Sequence, residues 1–293
     1  MQYRNTSSNR IFDFFNATIM ILICVCSLFP IVHVIFASLS DPMKLTAHEG
    51  IILWPLGFTL KGYQLVFSNS NILIGYMNTI FYVVVGVILS TFLTILGGYV
   101  LSRKSLLWRN TIMFFITFTM FFNGGLIPFY MVVKNLHMTN TRFAIIIPTA
   151  ISVFNLIIMR TSLMKIPESL EESAKIDGAG HFIIITKIVI PLAKSTIATI
   201  VLFYAVGIWN SWFNATIFLN DRNLFPLQVI LKEILVQDDT SAVLNSVDAG
   251  NTDIYRSLVK YCTIVVATLP VLCFYPFVQK YFVSGVMIGS VKG

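Results

Sequence analysis

The side chains that could do chemistry are few, and most stand alone. Four histidines (His33, His48, His137, His181) and four cysteines (Cys24, Cys26, Cys262, Cys273) are scattered along the chain. They form no H-E-x-x-H pair, and Cys24-Val25-Cys26 has no second ligand pair nearby, so neither a metal site nor a disulfide framework is predicted. All four cysteines lie in apolar runs and read as small hydrophobes. No G-x-x-x-x-G-K-[ST] occurs, so the chain has no P-loop with which to hydrolyse ATP. Catalysis usually needs a cluster of acids, bases or metal ligands, and the sequence offers none. One segment does concentrate charge: Glu168, Glu171, Glu172, Lys175 and Asp177, followed by Gly178-Ala179-Gly180. Its chemistry is that of hydrogen-bonded, charged docking.

The elements that must position this segment are apolar. Of 293 residues, 56% are hydrophobic and 11% charged, against about 25% charged in an average soluble protein. Mean hydropathy is +0.81. Too few charges remain to coat a soluble fold, so the bilayer is the expected solvent. The net charge of +7 does not point to nucleic acid, because the Lys and Arg residues sit in short clusters between apolar runs, not in one basic patch.

A spanning helix needs roughly 20 mostly apolar residues. Six runs qualify: about 14–37, 74–101, 110–133, 143–159, 188–219 and 258–282. The fourth is short. The fifth is long enough, about 48 Å at 1.5 Å per residue, to require a tilt or a projection from the membrane. The first run exceeds the 7–15 residues of a signal-peptide core and no A-x-A site follows, so it reads as a retained helix. With the N-terminus inside, the cytoplasmic segments carry twelve basic and five acidic residues and the outer segments eight of each, which predicts that both termini are cytoplasmic. No span contains Asp or Glu, whereas proton- and sodium-coupled carriers commonly hold a carboxylate there.

Small residues recur every four positions in the second span, at Gly86, Ser90, Thr94, Gly98 and Ser102, with a shorter stripe of Gly207, Ser211 and Ala215 in the fifth. Such faces let helix backbones approach closely in lipid, either within the chain or against a partner subunit. Pro30, Gly124-Gly125 with Pro128, Pro148, Pro270 and Pro276 interrupt several spans.

The charged segment lies in a cytoplasmic loop, residues 161–187. Pro167 suits the first helical position, and Glu168, Glu171 and Glu172 follow where the helix dipole favours acids. Glu171 and Lys175 stand at i, i+4. Leu170 and Ala174 share a face, with Ile166 in line before them. Asp177-Gly178-Ala179-Gly180 ends or bends the helix, and a second short helix is predicted from His181 toward Pro191. Two short helices about a glycine hinge make a docking knob.

The wording of this loop is more specific than its shape. Glu172-Ser173-Ala174, three residues, Gly178, nine residues, then Ile188-x-Ile190-Pro191 resembles the EAA signature of ABC-importer permeases, E-A-A-x3-G-x9-I-x-L-P, with mild departures at Ser173 and Ile190. The run from Leu170 to Ala179 is similar to the carbohydrate-uptake, maltose-permease-like subgroup. So are the outer segment Trp54-Pro55, Phe58-Thr59-Leu60 and Tyr63, and the terminus from Gly285 to Gly293. The resemblance covers almost the whole chain.

It implies an all-α membrane protein: a type I importer permease with six transmembrane helices and a cytoplasmic coupling helix, in a bacterial plasma membrane. Residues 1–73 would hold the N-terminal segment, first helix and outer loop, residues 74–282 the core with its EAA loop at about 161–191, and residues 283–293 a cytoplasmic tail. The expected partners are a second, related permease, two ATPase subunits that bind the ATP and Mg, and an extracytoplasmic binding protein that delivers the solute. By position, Glu172, Ala174 and Gly178 would couple to the ATPase; Glu171 and Asp177 join them on charge. A sugar path wants aromatic faces and amides, for which Trp209, Asn210 and Asn214 are the expected contacts, and the acidic outer loop 220–257 is expected to touch the binding protein. A permease of the same architecture for a peptide, amino acid or polyamine, or an ion-coupled carrier, are the alternatives.

Overall fold

Continuous apolar sequence with few glycines and no alternation favours helices, since in lipid every backbone group must find its partner within its own segment. The computed structural model describes residues 7–236, 243 and 252–290, and among these no strand forms; there is one isolated bridge, Ser40 to Phe58. In chain order the helices are α1 (Ser7–Ser38), α2 (Pro42–Ala47), α3 (Lys61–Ser68), α4 (Ser70–Ser102), α5 (Arg109–Phe121), α6 (Leu126–Asn135), α7 (Phe143–Ile146), α8 (Val153–Leu163), α9 (Glu168–Ile176), α10 (His181–Ile184), α11 (Ile190–Leu192), α12 (Lys194–Trp209), α13 (Phe213–Phe218), α14 (Leu227–Val236) and α15 (Thr252–Ser290). A π-turn, Ile185–Val189, joins α10 to α11.

Two compact units divide the chain. The first takes residues up to 69 together with 233–268. Within it the Gly62 backbone packs on Leu258 and Cys262, and the Cys262 thiol donates to the Ser38 carbonyl at 3.3 Å. His33 Nδ1 accepts from the Ile52 amide at 3.2 Å, fixing the loop after α1. The apolar stretch Ile11–Ser38 of α1 has no buried residue in its most hydrophobic window.

The second unit takes residues 70–232 and continues from 269. Here α4 is the central post, packed by α8 and α12. The small-residue stripe predicted on α4 is the reason. Ser90, Thr94 and Ser102 are buried, and a β-carbon added at Gly98 would lie 2.5 Å from Met159 Cγ of α8. Gly86 likewise faces Ile208 of α12. The stripe is therefore filled within the chain. At the other end of α4 the Asn78 amide donates to the carbonyls of Asn223 and Phe225, and the Tyr82 hydroxyl to that of Leu224.

The expected spans are less regular than their composition. α1, α4 and Ile254–Cys273 of α15 are each long and apolar enough to cross a membrane. The third run splits into α5 and α6, bent by 112° at Asn123-Gly124-Gly125, and the fifth bends by 85° at Ala193. Pro191 does not break that helix: with the π-turn before it, the missing amide falls where the ladder is already irregular. The fourth run breaks at Pro148, leaving α7 and the 11-residue α8. By length and composition the structure offers three to five spans.

All four cysteines are free. Cys262 is buried, while Cys24, Cys26 and Cys273 are exposed on their helices, as apolar residues of candidate membrane-facing surfaces can be. No group of three or more His, Cys, Asp or Glu among the described residues could hold a metal ion. Of the acids in the expected outer loop, Asp238, Asp239 and Asp248 lie outside the described residues, as does the terminus 291–293.

Candidate functional site

The charged loop folds as its sequence dictates. Pro167 stands one position earlier than expected: its extended ψ of 132° makes it the residue before the helix, and α9 opens on Glu168. Glu168 and Glu171 fill the first turn and Lys175 the last, matching the helix dipole. Gly178 ends the segment at φ +81°, the left-handed region, and across it the Ala179 amide donates to the Ala174 carbonyl at 2.8 Å, the six-to-one bond of a Schellman cap. A chain reversal follows and α10 begins.

Ile166, Ala174 and Ala179 turn inward. They pack on a core made by Ile95 and Tyr99 of α4, Met159 and Leu163 of α8, Ile184, Val189 and Ala193. Leu170, expected beside Ala174, stays 44% exposed, and Ile176 and Phe182 are the most exposed apolar residues of the loop at 87% and 75%. Glu172, Lys175, Asp177 and Gly178 are exposed with them. The outer surface is thus mixed: two large apolar side chains among two acids and a base.

Glu171 takes a place that its charge alone does not predict. It is 4% exposed, and its carboxylate is ion-paired with Arg103 at the C-terminal end of α4. The Tyr99 hydroxyl donates to its second oxygen at 3.4 Å. That spends the Tyr99 proton, so the contact of 3.3 Å between Tyr99 Oη and His181 Nδ1 needs His181 as donor. Arg103 also lies over the Tyr99 ring, 4.6 Å from its centroid, and donates from Nε to Ser102 Oγ at 3.1 Å. Position explains the burial: one turn into α9, the side chain points at α4 and not away from it. Glu171 therefore belongs to the seat of the loop and not to its exposed face. Lys104 to Glu168, at 3.3 Å, is an exposed counterpart.

A second feature lies where the fourth run breaks. Between the α7–α8 connection and α12 is a cavity of about 500 Å³ lined by Thr149, Ser152, Asn155, Tyr204, Ser211 and Asn214, with Phe154, Phe203 and Gly207. Its polar groups are hydroxyls and amides; it has no charged lining. Tyr204 holds it together, exchanging a 2.7 Å hydrogen bond with Thr94 of α4 and accepting from the Ser152 amide at 3.0 Å. Of the residues expected here, only Asn214 lines the cavity. Trp209 is buried against Tyr76, 6.2 Å between ring centroids, and Asn210 is exposed with its amide tied to the Val206 carbonyl. α12 ends at Trp209, so Trp209 and Asn210 turn away at the kink while Asn214, the second residue of α13, comes back.

Residues 94–287 match the model of a family described as the binding-protein-dependent transport system inner membrane component. The chain belongs to that family. This inner membrane component is 41% identical over 97% of its length to the polygalacturonan/rhamnogalacturonan transport system permease protein YtcP of Bacillus subtilis (strain 168), covering 99% of that protein. It is 39% identical over 99% of its length to the protein LplC of the same organism, covering 97% of it. Among solved structures it superposes with a TM-score of 0.87 and 35% identity on a chain of a bacterial ABC transporter involved in the import of the acidic polysaccharide alginate, over 95% of this chain and 99% of that one. The fold is thus that of a type I ABC-importer permease, a membrane-embedded transport subunit and not an enzyme.

Most of the cavity lining is not legible in the sequence. Thr149, Ser152 and Asn155 read as ordinary span residues; the usable signal was Pro148, which breaks the run and leaves Ser152 to cap α8 by accepting from the Asn155 amide. Arg103 read only as a positive-inside charge, since nothing in the spacing joins it to Glu171, 68 positions away.

Proposed function

We propose that this chain forms half of the path for an acidic oligosaccharide, driven by ATP that partner ATPase subunits bind with Mg and hydrolyse. The observation that carries this reading is end-to-end similarity to a permease whose name specifies polygalacturonan and rhamnogalacturonan and to a chain of an ABC transporter involved in alginate import. The cavity supports it. Hydroxyls and amides on Thr149, Ser152, Asn155, Ser211 and Asn214 suit sugar hydroxyls, and the faces of Phe154, Phe203 and Tyr204 suit stacking on a pyranose ring. Lacking a cation, this lining would hold the neutral part of each sugar, leaving the carboxylates to water or to the second, different permease chain.

In this reading Glu172, Asp177 and Gly178, with Ile176 and Phe182, meet a cleft of the ATPase subunit, and Ala174 seats the helix on its own core. Glu171 acts through Arg103 as a positioning residue. ATP binding closes the two ATPase subunits, α9 moves with its cleft, and the ion pair carries that motion to α4 and hence to the cavity. The loop and both termini face the cytoplasm, as the charge distribution indicates. An extracytoplasmic binding protein delivers the solute.

The test is the ATPase activity of the assembled transporter in vesicles. A binding protein loaded with an oligogalacturonide or similar acidic oligosaccharide should raise it severalfold over the unloaded protein. Stimulation by peptides or amino acids alone would overturn the sugar assignment. Orientation is read separately: Ser105→Cys should be labelled only from the inside and Asn220→Cys only from the outside.

A further inference from the structure

Beneath the seat of α9 lies a second cavity, of about 280 Å³, that transport does not explain. Four cations line it: Arg103 and Lys104 from the end of α4, Arg109 from the start of α5 and Lys165 from the turn before α9. One acid, Glu168, lines it too, and that carboxylate already meets Lys104. Two guanidinium nitrogens, Arg103 Nη2 and Arg109 Nη1, are buried there with no hydrogen-bond partner. Burying charged donors without an acceptor is costly, so their presence argues for an anion that both can reach. The Arg103 nitrogen bonded to Glu171 is a different one, Nη1, so the ion pair leaves Nη2 available.

The surroundings specify the anion. Trp108 and Leu107, beside Arg109, are 76% and 79% exposed, and Trp108 is held at a left-handed φ of 60°. A tryptophan beside basic residues at the end of an apolar helix is a membrane-interface anchor. α5 then leaves the cavity with no buried residue along its length, presenting Phe114, Phe115 and Phe118 outward. A ligand with a phosphate for the arginines and hydrocarbon for α5 fits both halves. We infer that this cavity binds the phosphodiester headgroup of an anionic phospholipid of the phosphatidylglycerol type, with its acyl chains lying along α5. Basic pockets between transmembrane helices are known seats for such headgroups. The inference rests on the cytoplasmic placement proposed above, and it sets a lipid against the same Arg103 that holds Glu171.

The experiment is native mass spectrometry of the complete transporter, purified from membranes holding both phosphatidylglycerol and phosphatidylcholine. Phosphatidylglycerol should be retained selectively. Lys165→Gln, an exposed change that does not disturb folding, should weaken retention about fivefold, as loss of one interfacial cation does. Arg109→Gln should weaken it at least as much, Arg109→Lys less, and the exposed control Lys187→Gln not at all. Equal retention in all variants, equal retention of phosphatidylcholine, or displacement of the lipid by millimolar inorganic phosphate would each overturn the assignment. So would loss of the lipid whenever the ATPase subunits are bound, which would give the cavity to a carboxylate of that partner. Labelling of Ser105→Cys in the same membranes, sealed and before purification, distinguishes an empty cavity from an inverted topology.

Discussion

The two ends of α4's lower half handle polarity in opposite ways. At Tyr99 and Arg103 the chain buries full charges and pairs them, carboxylate to guanidinium, with a phenol and an imidazole completing the set. Around Thr94 it buries only neutral groups, and the cavity they line carries none of the chain's 33 charged residues. A charged pair is rigid and intolerant of a missing partner; a lining of hydroxyls and amides can exchange one sugar hydroxyl for another at small cost. On the proposed function, the difference separates a joint suited to transmitting motion from a surface suited to releasing what it binds.

Breaking the joint should have the largest effect. Glu171→Gln leaves the partly buried Arg103 without its counter-charge, a loss of at most about 3–5 kcal/mol. Transport and sugar-stimulated ATPase should both fall to background while the protein still inserts, and Arg103→Met with Glu171→Met should recover more of the protease resistance than either change alone. Full transport by Glu171→Gln would remove the ion pair from any account of coupling.

Next in size are changes at the exposed face of the loop. No atom lies within 4 Å of a β-carbon at Gly178, so Gly178→Asp meets only the strain of its left-handed backbone, about 1–2 kcal/mol. That is enough to redirect α10. Glu172→Lys reverses an exposed charge without touching the core. Both should leave insertion intact and reduce co-purified ATPase and transport, whereas Lys175→Ala should not; normal import rates in both variants would show that the exposed face does not dock.

Smaller and different in kind is the cavity. Asn155→Leu should raise the concentration of loaded binding protein or sugar needed for half-maximal ATPase stimulation by about tenfold, equivalent to about 1.4 kcal/mol, with basal ATPase unchanged. Asn210→Leu, outside the lining, should do nothing. If the two behave alike, the cavity is not on the solute's route. The smallest effect belongs to Lys104→Ala. Its partner Glu168 is half exposed and Lys104 more so, and surface pairs of this kind contribute at most about 1 kcal/mol, so transport should be unaltered.

These contrasts also explain what could be read without coordinates. The helical class, the membrane setting and the glycine stop at Gly178 follow from hydropathy and local backbone rules, and each depends on residues within a few positions of one another. The stripe from Gly86 to Ser102 was legible as a packing face because its period is that of the helix itself. What packs on it was not, since Met159 and Ile208 are defined only by the fold. The same limit hid the burial of Glu171: the acids of α9 look alike in sequence, and only the approach of Arg103 separates the one that faces inward. Trp209 and Asn210 lie outside the cavity lining for a physical cause. The expected span stops at a kink, and three residues of irregular backbone rotate the next helix by enough to exchange which side chains meet the cavity.

The last turns of α4 and the residue after it carry both regions, from Thr94, bonded to Tyr204, to Arg103, paired with Glu171. At 1.5 Å per residue these points are ~14 Å apart, with regular α-helix between them up to Ser102. Linkage between two binding sites is reciprocal: whatever factor the docked ATPase applies to the affinity of the cavity for its sugar, the sugar must apply to the affinity of the loop for the ATPase. Measured on one side, that factor is already known on the other. On the proposed reading the grip of the permease on its motor is a readout of cargo, and a transporter holding sugar in this cavity should bind its ATPase subunits with a different affinity from an empty one.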